Sequence, residues 1–431
     1  MNFLKKQSPV RIISLGFALV ILIGSVLLSL PCSIRDGVTL RYIDALYMST
    51  SAVCVTGLLT VDAGDTFTPL GQFFLGMLIQ VGGLGVTAVG TGVILAMGKK
   101  INLKARNLIR EAGNLDSGKG VIRFIRLVFL TTVTFELAGA ALSFLVFRKS
   151  FPPLKAAGVS LFHSVASFNN SGFDILGGGQ NLIPYQDDIF LNLVTCALVI
   201  FGGIGFLVIR EVIAKRFRWK KLSMHAKVVL FMSLVLTAAG TVLLKLTEDI
   251  TWMGAFFTSV SARTAGFSTF PLGSFSSAGL LTVIVLMVIG ASPGSTGGGI
   301  KTTTCYVLFE GIRSSATNTS EKAFRYAVPA DAFRKAAVIT LLAIGIVLSG
   351  TYILVILEPG VPFLDALFEM SSAFGTAGLS TGISAGLCDA AKILTILIMF
   401  IGRLGPLTIA SLWYFTKGER VSYPEGNIAI G

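Results

Sequence analysis

The pattern of apolar runs constrains this chain more than any other feature. Long runs lie near 10–31, 69–97, 124–147, 189–212, 228–246, 278–309, 335–357 and 391–414. Each has about 20 residues or more, enough to cross a core of about 30 Å as a helix. Within each successive pair of long runs lies a shorter semi-apolar stretch, at 42–52, 158–167, 251–261 and 363–373. About ten residues cannot span as a helix, so these stretches read as re-entrant half-helices. Composition agrees with burial in lipid. The 431 residues are 53% hydrophobic and 13% charged, with a mean hydropathy of +0.80. Soluble domains carry about 25% charged residues.

The expected fold is therefore an all-α polytopic membrane protein. It comprises four parallel helix–half-helix–helix repeats, that is, eight transmembrane helices and four re-entrant pore half-helices around a central pore. The expected boundaries are 1–100, 101–220, 221–315 and 316–417, followed by a tail at 418–431. All four form one integrated membrane domain. Recurrence at this period is sought first because it decides the architecture.

Charge sets the direction. The net charge is +13, but it is not spread as a nucleic-acid surface would be. Lys99, Lys100, Lys104, Arg106 and Arg110 form one cluster between apolar runs, and Lys215, Arg216, Arg218, Lys220 and Lys221 form another. This is the bias of cytoplasmic loops. With Lys5, Lys6 and Arg11 before the first repeat, and Lys417 and Arg420 after the last, both termini are expected in the cytoplasm. Asp62, Asp65, Asp174, Asp187, Asp188, Glu248, Asp249 and Glu358 fall on the other side, where they would concentrate cations at a pore mouth. Arg148, Lys149 and Lys155 are exceptions on that side. The five cysteines are scattered without metal spacing. They read as buried small hydrophobes. The run from Ile12 to Leu30 is longer than a signal-peptide core and reads as a retained first helix.

Each short stretch leads into a small polar motif that ends in glycine. The four are Val53-Cys54-Val55-Thr56-Gly57, Phe168-Asn169-Asn170-Ser171-Gly172, Ala262-Arg263-Thr264-Ala265-Gly266 and Phe374-Gly375-Thr376-Ala377-Gly378. The glycines are 115, 94 and 112 residues apart. One such motif means nothing, but four at matched positions suggest segments that converge on an axis. Their carbonyls would then form rings that replace the hydration shell of a monovalent cation. Glycine permits the backbone angles this needs, and half-helix C-termini add negative potential. An anion path would want pore cations, and Arg263 has no counterpart in the other three motifs.

A second fourfold feature lies in the closing runs, at 80–85, 200–205, 288–301 and 400–405, aligned on Gly82, Gly202, Gly290 and Gly402. Three copies read as close-packed regular helix. The third contains Ala291-Ser292-Pro293-Gly294-Ser295-Thr296-Gly297-Gly298-Gly299. Proline and repeated glycine break a helix, so a polar intramembrane gate is expected there. Its likeness to a phosphate-binding loop fails, because Ile300 intervenes before Lys301 and no strand precedes it. Arg403 falls at the matching depth in the fourth closing run. A charge there is costly and marks function by default. It would either donate to the 292–299 loop or pair with a buried carboxylate such as Glu369.

With these motifs, the GASPGSTGGGIKT loop and the FIGRLGPLT segment, the chain resembles the Trk/Ktr/HKT superfamily over nearly its whole length. Within it, the bacterial Ktr membrane subunits are the nearest type. The resemblance implies a potassium-uptake pore, often sodium-dependent, in the bacterial cell membrane. It also implies a homodimer on a cytosolic octameric ring of nucleotide-binding RCK (KTN) subunits that sense ATP or ADP. No cofactor is expected on this chain, and K+ is the cargo. The resemblance places the gate at Ala291–Gly299 with Arg403 beside it. Glycine at all four motif ends favours potassium, since a serine at the first is linked to sodium preference in some plant relatives. The basic loops and the tail Ser422–Gly431 are candidate docking or dimer surfaces. The rivals are a pore for sodium, ammonium or another small solute, and an intramembrane enzyme. Only His163 and His225 are present. His163 is expected to pack within its half-helix rather than line a path, and no nucleophile–base pair or metal cluster supports enzyme chemistry.

Overall fold

The computed structural model describes residues 9–96 and 121–411. The Lys99–Arg110 cluster and the Ser422–Gly431 tail lie outside the described residues. The helices follow one order four times: a long helix, a short buried one, then a long run in two pieces. First come α1 (Pro9–Leu28), α2 (Tyr42–Cys54), α3 (Pro69–Leu84) and α4 (Val86–Ala96). Next are α5 (Val121–Phe147), α6 (Pro153–Phe168), α7 (Ile189–Ile204) and α8 (Phe206–Ala214). The third group is α9 (Met224–Thr247), α10 (Trp252–Ala262), α11 (Ser277–Val288) and α12 (Thr302–Thr317). A two-stranded hairpin, β1 (Lys322–Ala323) with β2 (Tyr326–Ala327), leads to the fourth. That group is α13 (Ala332–Leu357), α14 (Phe363–Gly375), α15 (Asp389–Leu404) and α16 (Pro406–Ser411).

Local chemistry starts these helices where they start. Thr68, Ser223, Thr251 and Ser276 each accept from a backbone N–H three residues on, the usual work of a hydroxyl at a helix N-cap. Pro69 and Pro153 occupy first turns, where the missing N–H costs nothing. Several outer acids serve the same end. Asp188 accepts from Leu191 N, Glu248 from Ser276 N at 3.1 Å, and Glu358 from the Cys388 N–H. Of the eight acids expected at a pore mouth, only Asp62 and Asp174 line the central cavity described below.

The core is inverted relative to a soluble bundle. The short helices are its centre, and Tyr47, Phe168, Phe257, Phe368 and Phe374 on them are almost fully buried. The long helices α1, α5, α9 and α13 form an outer layer. In their most apolar windows only 28–33% is buried, and Leu19, Leu130, Leu234 and Leu341 point outward. Such stripes suit lipid rather than water. Among the described residues, these four are the unbroken helices long and apolar enough to cross a membrane. The chain is thus a multi-pass membrane protein.

Inner and outer layers meet through small residues and serine. Ser49, Ser164 and Ser259 of α2, α6 and α10 donate to the carbonyls of Ile21, Glu136 and Thr237, at 2.7, 2.7 and 2.9 Å. Opposite them stand Gly24, Gly139 and Gly240, where any Cβ would strike the serine. Close approach with a polar tie is how helices associate when lipid supplies no hydrophobic drive. In the fourth group Met370 takes the serine's place against Gly350.

The closing runs differ from the regular helix expected of 80–85, 200–205 and 400–405. All break, at Gly85 (φ 86°), Gly205 (φ 98°) and Gly405 (φ 91°); α7 and α8 are bent by 99°. The Gly-x-x-Gly signal that reads as packing does two jobs. Gly82, Gly202 and Gly402 pack on the last half-helix carbonyls, those of Val53, Phe168 and Phe374. The glycine three residues on takes a positive φ and turns the chain away.

Candidate ion pathway

The four motif segments share one backbone path. The residue two before each motif glycine is left-handed: Val55 at φ 56°, Asn170 at 59°, Thr264 at 73° and Thr376 at 49°. The glycine follows at 100° for Gly57, 68° for Gly172, 79° for Gly266 and 82° for Gly378. Such angles are uncommon for valine and threonine, and strain of this kind collects at functional sites. The sequence marks the glycines but gives no sign of the second left-handed position.

This path turns the N–H groups backward. Thr56 N donates to Ser51 O at 2.8 Å, Ser171 N to Ala166 O at 2.9 Å and Ala377 N to Ser372 O at 2.9 Å. Ala265 N donates to Ser261 O at 2.8 Å. Among the described residues, no hydrogen bond ends on the carbonyls of Thr56, Ser171, Ala265 or Ala377.

Those carbonyls lie next to one another's glycines in a closed circuit. A Cβ on Gly172 would stand 2.8 Å from Ala265 O, and one on Gly266 would stand 2.8 Å from Ala377 O. On Gly57 it would come closer still to Ser171 O, and on Gly378 to Thr56 O. The first segment thus abuts the second, the second the third, the third the fourth and the fourth the first. Above this ring is a cavity of about 470 Å³ whose walls include Gly57, Gly266, Gly378, Asp62, Asp174 and Asn181.

The large polar side chains of the motifs turn away from the ring. Arg263 donates to Ser233 O at 3.1 Å and to Thr237 Oγ1 at 3.3 Å on α9. Asn169 Nδ2 donates to Gln80 Oε1 at 2.8 Å and to Glu136 Oε1 at 3.0 Å. Gln80 opens the 80–85 feature, where only the glycines stand out, and Glu136 lies outside every motif, on α5. A lone carboxylate inside an apolar run was the available signal for Glu136. Val53, Cys54, Phe168, Ala262, Phe374 and Gly375 are still helical, so only the later part of each motif leaves the half-helix. His163 packs as expected, with Nε2 2.9 Å from Thr195 Oγ1 and edge-on to Phe147 and Phe267. Asp44 on α2 and Lys392 on α15 form a buried pair at 2.6 Å that joins the first and fourth groups. Nothing in the sequence links two residues 348 positions apart.

Below the ring, the segment between α11 and α12 is not helical. Its neck is a bridge of Ile289 and Ile300, with Ile300 N donating to Val288 O at 3.1 Å. Ala291, Ser292 and Thr296 are buried. The segment touches the second and fourth groups and the motif of its own. Ser292 N donates to Gly203 O at 3.0 Å and Phe206 N to Gly294 O at 3.1 Å, while Pro293 O lies 2.7 Å from where a Cβ on Gly205 would be. Thr296 Oγ1 points at Phe168 O, 3.4 Å away. Gly298 N donates to Thr376 Oγ1 at 3.0 Å. Gly297 packs so tightly on Thr264 Oγ1 that a Cβ could not enter. Gly299 takes a φ of 68°, and Ser295 Oγ donates to Ser292 O at 2.6 Å.

Two cations hold this segment. Arg403 donates to Thr296 O and to Gly82 O, with Gly83 O at 3.4 Å, and its guanidinium lies 6.0 Å from the Phe17 ring centre. Lys301 Nζ donates to Gly297 O at 2.8 Å and to Gly298 O at 3.3 Å. Three successive carbonyls are therefore bound to positive side chains. The alternative pairing of Arg403 with Glu369 is not the one formed, because the Glu369 carboxylate accepts from Ser380 and Ser384. Lys301 fits no phosphate loop, and its position at the end of the segment is the sequence signal for this role.

Residues 10–416 match the family model described as TrkH, cation transport protein. The chain is 36% identical to Ktr system potassium uptake protein B of Bacillus subtilis, over 98% of this chain and 97% of that one. It is 35% identical to the potassium/sodium uptake protein NtpJ of Enterococcus hirae, over 99% and 98%. Its fold is similar to the crystal structure of the potassium transporter TrkH from Vibrio parahaemolyticus. That comparison has a TM-score of 0.75 at 19% identity, covering 95% of this chain and 86% of the other.

Proposed function

The chain belongs to the TrkH family of cation transport proteins, and from that premise we propose that it is the pore-forming subunit of a potassium-uptake system. In this reading the four motif segments are the selectivity filter, and the segment Ala291–Gly299 with Arg403 is the gate. The observation that carries the reading is the closed circuit of four glycines against four unbonded carbonyls. Four carbonyls around one axis can replace the hydration shell of a potassium ion. Four half-helix C-termini aimed at the same place add about half a negative charge each. The acidic wall of the outer cavity attracts the cation from solution.

The gate reading follows from position. A segment tied to the second and fourth groups lies under the ring, and Arg403, which also binds Gly82 O of the first, places a full positive charge there. A cation leaving the ring meets both a steric and an electrostatic barrier. A hydrogen bond to a charged group contributes about 1.5–3 kcal/mol, so releasing Arg403 from two carbonyls costs several kcal/mol. Supplying that cost fits regulation by a partner. The relatives' names place them in Ktr systems, and the partner proposed here is an octameric cytosolic ring of RCK subunits that bind ATP or ADP. The chain is proposed to act as a homodimer in the bacterial cell membrane, with both termini cytoplasmic and K+ moved in some conditions with Na+.

The test is growth of a potassium-uptake-deficient bacterium at low potassium, with this gene alone and with a ring partner. Rescue that improves with the partner is expected. Failure to rescue with any partner contradicts the reading.

A further inference from the structure

Two basic segments on the side read as cytoplasmic fold onto one another. The loop between α8 and α9 carries Arg216, Arg218, Lys220 and Lys221, all exposed, and the β1–β2 hairpin carries exposed Lys322 and Arg325. Among the described residues none of these six forms an ion pair. Two carboxylates near them are already engaged. Glu211 accepts from Lys215 Nζ and Ser223 N, both at 2.6 Å, and from Ser223 Oγ at 2.7 Å. Glu310 on α12 accepts from Arg313 Nε at 2.9 Å and from Lys322 N at 3.1 Å. These bonds also hold the loop and the hairpin in place. Glu321, next to Lys322, offsets one of the six charges.

Aromatic rings join the two segments to each other and to the lipid-facing layer. Trp219 and Phe324 meet edge to face with ring centres 5.8 Å apart, and Phe231 of α9 meets Phe324 in the same way at 6.3 Å. Lys227 Nζ lies 6.0 Å from the Phe324 ring centre. Phe231 is exposed on the face of α9 that also exposes Leu234 and Val235. Phe217 stands 78% exposed between Arg216 and Arg218. Both it and Arg216 are left-handed, at φ 57° and 50°. Two such residues in succession are uncommon outside glycine, and strain of this kind collects at functional sites. Open rings among cations suit a membrane interface, where apolar bodies enter the acyl boundary and charges stay at headgroup level.

We propose that the 215–223 loop and the β1–β2 hairpin form one docking surface for the phosphate-bearing headgroups of anionic membrane lipids. The two segments lead into α9 and α13, which cross the membrane, and the patch runs on into the outward stripe of α9. That continuity favours lipid over a soluble partner. Clustered Lys and Arg just beyond a crossing helix attract anionic headgroups, and the arginine fork matches phosphate oxygens. The surface does not depend on the reading of the ring or of the gate.

The test uses the full-length protein in detergent, titrated with dye-labelled phosphatidylglycerol. Labelled phosphatidylcholine is the neutral comparison and inorganic phosphate the competitor. We expect phosphatidylglycerol to bind about tenfold or more tightly than phosphatidylcholine, and phosphate not to displace it. Arg216→Gln, Arg218→Gln, Lys220→Gln and Lys221→Gln together should weaken it about tenfold or more, and Lys322→Gln with Arg325→Gln about threefold or more. Arg148→Gln, Lys149→Gln and Lys155→Gln together, exposed around the start of α6, should leave it unchanged. Equal binding of the two lipids, displacement by phosphate, equal loss in the α6 variant or unchanged affinity in the loop variant overturns the proposal. A loop variant that keeps phosphatidylglycerol but no longer binds a ring partner assigns the surface to protein instead. Should the fourfold variant fail to fold, the hairpin pair takes its place, and unchanged affinity there overturns the surface.

Discussion

The glycine ring and the segment beneath it are built on opposite rules. In the ring, four segments of different sequence adopt one backbone path, with a left-handed residue and a positive-φ glycine at the same two places. The polar side chains that could spoil this equality, Arg263 and Asn169, are turned outward to α9 and to Gln80 and Glu136. Beneath the ring, one group alone supplies the long non-helical segment, and Arg403 of another pins it. Equivalence suits a site that must surround a spherical ion. Asymmetry suits a site that must move, since one segment can be released without disturbing four.

Variants can break this comparison from either side. The largest effect is expected from the ring. Gly57→Ser places a Cβ against Ser171 O and disturbs one carbonyl in four. The K+ over Na+ uptake ratio in proteoliposomes should fall by about tenfold or more, a difference of roughly 1.4 kcal/mol. A ratio equal to that of the parent protein would mean the ring is not where ions are chosen.

Arg403→Ala should act in the other direction. It removes the donors to Thr296 O and Gly82 O, so flux without any ring partner should rise about five- to tenfold, within the range of single coupling energies. Selectivity should hold. Unchanged flux in vesicles would remove the gate from this segment. Lys301→Met keeps the bulk of the side chain and loses the bonds to Gly297 and Gly298. These lie within the segment itself, so a smaller rise, about two- to threefold and below that range, is expected in the same assay.

The smallest effect should come from Cys54→Ala. Cys54 is buried in the last turn of α2, and its backbone stays helical. Uptake and selectivity should stay within about twofold of the parent protein, as for substitutions away from named mechanisms. A larger effect than that of Gly57→Ser would mean that the thiol, rather than the bend at the glycine, does the work of the segment.

Much of this difference between the layers was legible in the sequence, and for physical reasons. The half-helices were visible because a semi-apolar stretch too short to span lies between two long runs, and the break near Pro293 because proline and repeated glycine cannot continue a helix. Arg403 stood out as a charge in an apolar run. What was hidden depends on contacts across the chain. Gly85, Gly205 and Gly405 look like packing glycines until the half-helix carbonyls that press on their neighbours are seen. The left-handed Val55 and Thr376 carry no local signal, because their residue types disfavour the angle they adopt. Arg263 sits inside a motif, yet its guanidinium serves α9, and Glu369 serves its own loop rather than Arg403. Orientation of a long side chain is decided by its surroundings, and a motif does not encode them.

The most direct test of the central claim is to locate the ion. Crystals or frozen particles of the full-length protein should be prepared in Rb+, a potassium substitute, and the ion found by anomalous scattering or by difference density against a Rb+-free sample. The account predicts density on the axis enclosed by the carbonyls of Thr56, Ser171, Ala265 and Ala377, lost on replacing Rb+ with choline. Ordered Rb+ elsewhere in the membrane region, with none on that axis, would contradict it.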